Sequence, residues 1–131
     1  MTVSLLSTIV LSTATAAFSQ TISIKPNSAP IQVAGTSGGA QTDSCAGKIA
    51  AAPNHVVQVT EDANLSFTLQ AAGQPALLIR SEAGKTFCVP ADSLSGGTVK
   101  IPGRWTKGNY SVFVGDRANG QHPYTLSISR N

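Results

Sequence analysis

The run Leu65-Ser-Phe-Thr-Leu-Gln70 sets Leu65, Phe67 and Leu69 on one face and Ser66, Thr68 and Gln70 on the other. That is the alternation of a strand covering a core on one side. The pattern returns in Thr98-Val-Lys-Ile101 and in Tyr124-Thr-Leu-Ser-Ile128, and β-branched or apolar runs stand at His55-Val-Val-Gln-Val-Thr60, Ala76-Leu-Leu-Ile-Arg80, Thr86-Phe-Cys-Val89 and Tyr110-Ser-Val-Phe-Val114. No stretch has the apolar spacing of a helix. Between the runs lie turn residues, among them Glu61-Asp62-Ala63-Asn64, Gly73-Gln-Pro75, Ala83-Gly84-Lys85, Ser95-Gly-Gly97 and Pro102-Gly103, and Gly108-Asn109 precedes the run at Tyr110. Punctuation of this kind at about every eight to twelve positions predicts an all-β fold, an antiparallel β-sandwich with a jelly-roll-like cadence.

The first 44 residues read differently. Residues 1–19 hold an apolar run, Val3 to Leu11, followed by small residues up to Ser19, the outline of an export signal, although no Lys or Arg precedes the run. Cleavage after Ser19 would leave Gln20 first and no integral membrane span. Residues 20–44 are rich in Gly, Ser, Thr, Ala and Gln, which predicts a flexible N-terminal arm. Within it Thr21-Ile-Ser-Ile24 alternates and reads as an edge strand, with donation to a neighbouring copy as the alternative. The sandwich domain is then expected over residues 45–131. Cys45 and Cys88 are the only cysteines; behind an export signal an even pair reads as a disulfide. Closing a loop of that length adds about 4 kcal/mol in the chain-entropy account.

Nine basic and six acidic residues give a net charge of +3, and the basic residues are scattered, which excludes a nucleic-acid platform. The two histidines, His55 and His122, lie far apart in sequence, and no Gly-x-Ser-x-Gly elbow is present, so neither a zinc site nor a catalytic constellation is expected. Calcium would need several converging oxygens, and Asp92 and Asp116 are weak candidates. Trp105, the single tryptophan, stands between Arg104 and Lys107. With so few aromatics its expected place is the core, yet these three residues are also the candidate binding surface, where an exposed indole would stack on a sugar or anchor a protein.

The succession Cys45-Ala-Gly-Lys-Ile49, Pro53-Asn-His-Val56, Leu77-Leu-Ile79, Phe87-Cys88, Gly103-Arg-Trp105, Gly108-Asn-Tyr110-Ser-Val112, Val114-Gly115 and Pro123-Tyr-Thr-Leu-Ser-Ile128 resembles bacterial pre-peptidase C-terminal domains. The resemblance implies a β-sandwich accessory module of exported proteins, without catalysis of its own. Some members bind calcium, and some bind polymers such as collagen or polysaccharide. Here Val89-Pro-Ala-Asp92 stands where related sequences often carry an acidic run. The expected function is a secreted or periplasmic, non-catalytic binding module that contacts a polysaccharide or an exported protein. Self-assembly through residues 21–24 and a small hydrolase are the alternatives.

Overall fold

The computed structural model describes residues 20–131, so the expected export signal lies outside the described residues. Eleven strands follow one another there: β1 (Gln20–Ile24), β2 (Ile31–Thr36), β3 (Gln41–Asp43), β4 (Gly47–Ile49), β5 (His55–Val59), β6 (Ala63–Ala71), β7 (Pro75–Ser81), β8 (Thr86–Pro90), β9 (Thr98–Trp105), β10 (Gly108–Asp116) and β11 (Pro123–Arg130).

They form two sheets, the expected sandwich. The first is built on β10, which takes β7 along one side and β5, then β4, along the other. From there it extends to β8 beyond β7, to β3 beyond β4 and to β1 beyond β5. The second runs β2-β11-β6-β9. All pairings are antiparallel except β1 with β5, which is parallel. The inner faces carry the alternating apolar residues. Leu65, Phe67 and Leu69 of β6, Leu126 of β11, and Leu77, Ile79, Val112 and Val114 of the opposite sheet are all 0% exposed. Each such aliphatic or aromatic side chain removed from water contributes about 1.5–3 kcal/mol before entropy is counted.

Strand β7 is buried along both faces, and the sequence between Asp43 and Ile49 explains why. Ala76 and Leu78 of β7 and Phe113 of β10 point away from the sandwich interior and form a second small core with Ala46 and Ile49. The Cys45–Cys88 disulfide, with a Cα–Cα distance of 6.4 Å, fastens this cover to β8, where Cys88 stands directly opposite Leu78. Asp43 shapes the cover: its Oδ2 accepts the N–H groups of Cys45 at 2.9 Å and Ala46 at 2.8 Å, and its Oδ1 meets Arg80 at 3.4 Å. Those two N–H groups hold its carboxyl below the ordinary range, with Arg80 adding to the effect. Gly115 lets the cover approach, since a Cβ there would lie 2.3 Å from the carbonyl oxygen of Ala46.

Three expectations need correction. Residues 20–44 are not a flexible arm: β1 adds to β5, β2 adds to β11, and β3 pairs with β4. Weak composition was offset by neighbours, because Ile22 and Ile24 of β1 enter the main core and Ile31 and Val33 of β2 pack against it. The segment 21–24 is thus an edge strand of its own domain, which removes the basis for donating it to a second copy. Ala63-Asn64 opens β6 rather than completing a turn. Pro102-Gly103, expected as a turn, lies inside β9. Strand β9 is an edge, and a proline whose missing N–H faces away from the partner strand breaks no ladder bond.

Candidate functional site

Strand β8 is an edge of sheet one and β9 an edge of sheet two, and β8 is left partly uncovered, which opens a cleft. Phe87 and Val89 of β8 stand opposite Ile79 and Leu77 of β7, so they face inward like those residues. Leu77 and Ile79 are fully covered, whereas Phe87 is 38% and Val89 37% exposed. At one end of this uncovered edge lies a cleft of about 270 Å³, floored by Phe87, Ile101, Trp105 and Tyr110 and walled by the β7–β8 and β9–β10 turns.

Trp105 organises the floor. It is buried, with ring centroids 4.7 Å from Phe67, 5.2 Å from Phe87 and 5.2 Å from Tyr110, which meets it edge-on. Tyr110 is held in turn by donating its hydroxyl proton to the Thr106 carbonyl at 2.6 Å. The indole Nε1–H is buried and has no hydrogen-bond partner, an uncommon state for a donor that costs free energy to leave unpaired. Gly103 leaves room beside it, because a Cβ there would sit 3.7 Å from Nε1.

The rim is charged. Lys85, Arg104 and Lys107 line the cleft with Glu82 as the one acid, and among the described residues none of the three cations is in an ion pair. Glu82 accepts from the N–H and the side-chain amide of Asn109 at 3.1 and 3.3 Å, and nearby Asp62 accepts the N–H of Lys107 at 2.8 Å. The candidate trio is therefore brought together in a modified form: Arg104 and Lys107 are exposed at the rim, while Trp105 lies beneath them as floor rather than as an exposed plate. Phe87, Ile101 and Tyr110 were not foreseen at this site. Nothing in sequence spacing links them, because they meet only across the sandwich.

The opposite end of the sandwich gathers a serine, an acid and a histidine. Asp116 is fully buried. Its Oδ1 accepts the N–H groups of Gln74 at 3.2 Å and Ala118 at 2.9 Å, and its Oδ2 faces the Ser37 hydroxyl at 3.2 Å and His122 Nδ1 at 2.6 Å. Burial pushes this carboxyl up, but the hydrogen bonds from His122, Ala118, Gln74 and Ser37 outweigh burial and hold it below the ordinary value. In a nucleophilic triad the serine approaches the imidazole nitrogen remote from the acid. Here Ser37 bonds the acid itself and accepts the backbone N–H of His122 at 3.1 Å, so the group ties the ends of β2 and β10 to two turns. Every lone pair Asp116 offers is met by a donor, and Asp92 caps Leu94 N–H at 2.8 Å instead of turning toward it. The two calcium candidates are not brought into one oxygen cluster, and among the described residues no three His, Cys, Asp or Glu side chains group as metal ligands.

His55 is structural as well. It is buried, and its Nε2 shares a 2.6 Å hydrogen bond with the Tyr124 hydroxyl across the sandwich. Burial lowers its pKa and pushes Tyr124 up to about 12. Tyr124 lies over Gly35, where a Cβ would come within 2.5 Å of the hydroxyl oxygen.

With this geometry in place, comparison with known proteins adds a family and a fold. An uncharacterized protein of Synechococcus elongatus, Synpcc7942_2126, is 34% identical over 113 residues, covering 82% of this chain and 81% of its own. The chain belongs to that protein's family. No family model matches the sequence. Among solved structures, the pre-peptidase C-terminal domain of a collagenase from Bacillus anthracis superposes with a TM-score of 0.60 at 13% identity, over 86% of this chain and 95% of that one. The expected fold-level resemblance is thereby borne out. A periplasmic inhibitor of g-type lysozyme from Aeromonas hydrophila, PliG, superposes at 0.45 with 13% identity, too loosely to bear on this chain.

Proposed function

We propose that the chain is a non-catalytic binding module working outside the cytosol, with the cleft beside Trp105 as its binding site. The observation that carries this reading is the combination found there and nowhere else among the described residues: an apolar floor of four side chains, an unpaired buried N–H and a cationic rim. A pocket with an apolar body and a few polar groups is the usual form of a recognition site. Its volume of about 270 Å³ stands at the small end of ligand-pocket sizes and has room for a large side chain of a protein partner.

The Cys45–Cys88 bridge supports an oxidising compartment, and the apolar run from Val3 to Leu11 supports export. An exported protein suits the site better than a polysaccharide. Sugars stack on open aromatic faces, and the indole of Trp105 is packed against Phe67 and Phe87.

Affinity capture from the exported protein fraction of the source organism tests the reading. Wild-type protein is expected to retain a discrete partner that a Lys85→Glu/Lys107→Glu variant loses. Equal capture by both, or turnover of ester, peptide or glycoside reporters by the purified protein, would overturn it.

A further inference from the structure

The edge between the sheets has a definite shape. Sheet two stops at β9, which pairs with β6 alone, and sheet one stops at β8, which pairs with β7 alone. One more strand beside β9 would lie over Phe87 and Val89, two of the three large apolar side chains exposed among the described residues. A strand added to the free edge of β8 would leave both uncovered.

The free edge of β9 is readable bond by bond. The Gly97 carbonyl accepts the Ala71 N–H at 3.1 Å, in line with the β6–β9 register. Because antiparallel strands alternate the direction of their backbone groups, Val99, Ile101, Gly103 and Trp105 bond β6. Lys100, Pro102 and Arg104 then turn their backbone outward. Pro102 lacks only the donor, so the carbonyls of all three and the N–H groups of Lys100 and Arg104 stand available. Their side chains lie on the outer face of the sheet, with the two cations four positions apart.

Resting on the reading of this edge as the binding site, we propose that β9 accepts an extended acidic segment of an exported protein as an added antiparallel strand. The matching segment has acidic residues at its first and fifth positions, opposite Arg104 and Lys100. Its second and fourth residues are apolar and turn inward over Phe87, Val89 and the cleft. Charge complementarity selects this occupant. Lys85, Arg104 and Lys107 line the cleft and Lys100 stands exposed on the outer face of β9, whereas a second copy pairing through its own β9 would set Lys100 against Arg104, like charge against like.

The probe is a capped pentapeptide with glutamate at positions one and five, valine at two and four and serine at three, titrated into the full folded protein. Binding is read by Trp105 fluorescence and by amide exchange in 15N-labelled protein. Strand addition uses the probe's N–H groups at positions one, three and five, of which the last two are the ones blocked. N-methylation at both is expected to weaken binding at least about tenfold, against less than about threefold for N-methylation at two and four. Bound probe should also slow exchange of the Lys100 and Arg104 amides. Equal weakening by the two methylation patterns, or a fluorescence response without protection of those amides, overturns strand addition while leaving the cleft as a binding site. No response by either readout up to about 5 mM probe overturns it as well.

Discussion

Replacing Asp116 separates a structural tie from a chemical site, and the hydrogen bonds fix the sizes to expect. In Asp116→Ala, the fully buried carboxylate is lost, and the partly buried N–H groups of Gln74 and Ala118 and the Nδ1 of His122 lose their acceptor. These three donors are only partly buried, so each one left unpaired costs about 1 kcal/mol, the low end of the range for buried groups. With the Ser37 contact and the packing of a fully buried side chain also lost, the net loss is about 4 kcal/mol. In Asp116→Asn, the amide oxygen can remain on the Gln74 and Ala118 side while the NH₂ turns to Ser37 and His122. Both of those can accept, the serine through a lone pair and the histidine through its other tautomer. The loss is then limited to charge assistance, about 1–2 kcal/mol. Trp105 is the only tryptophan, so urea unfolding at neutral pH is readable from its emission. With a slope of about 1.3 kcal/mol per molar, the midpoint should fall by about 3 M for alanine and about 1 M for asparagine. The acid limb adds an independent check. The folded carboxyl lies below its ordinary 3.8, so its contribution is fully present above that value and is lost as pH falls through the folded pKa. The asparagine variant should lack this part of the acid transition. Equal losses in the two variants, or a loss under about 1 kcal/mol for alanine, would refute the assignment of Asp116 as a four-bond tie.

Other outcomes follow from the same packing. Cys45→Ala/Cys88→Ala should lose about 4 kcal/mol, from a loop closed across 43 residues, measurable as a lowered urea midpoint. Gly115→Ala should cost about 1–3 kcal/mol, because its Cβ would strike the Ala46 carbonyl, and proteolysis should then attack the 43–49 cover first. His55 has a folded pKa below its ordinary 6.5. Between the folded value and 6.5 the unfolded chain binds a proton that the folded chain refuses, so stability should decline as pH drops below 6.5. A His55→Gln variant should lose that slope in thermal unfolding measured from pH 7.5 to 5.

Period-two patterning made most of the sandwich legible, because β6, β7, β10 and β11 bury one or both faces in ways their own residues display. The strands missed were those whose stability comes from neighbours. Ile31-Gln-Val-Ala-Gly-Thr36 carries two bulky apolar residues and reads as loop until β11 supplies its ladder and Tyr124 lies over Gly35. Pro102-Gly103 reads as a turn because a proline's meaning depends on whether its strand is an edge, which only the sheet order reveals. The disulfide was legible from composition, whereas its task of fastening the 43–49 cover over Leu78 and Phe113 was not. At the site, Arg104, Trp105 and Lys107 were visible as a string. The cleft itself arises where β8 is left partly uncovered beside β9, and Phe87 reaches Trp105 only across those two edges.

Photocrosslinking in the source cells tests the central claim most directly, with p-benzoylphenylalanine placed at Lys107 on the cleft rim or at Lys48 on β4. The account predicts a discrete adduct with an exported protein from position 107 and none from position 48. Identical adducts from both positions, or none from position 107, would contradict it.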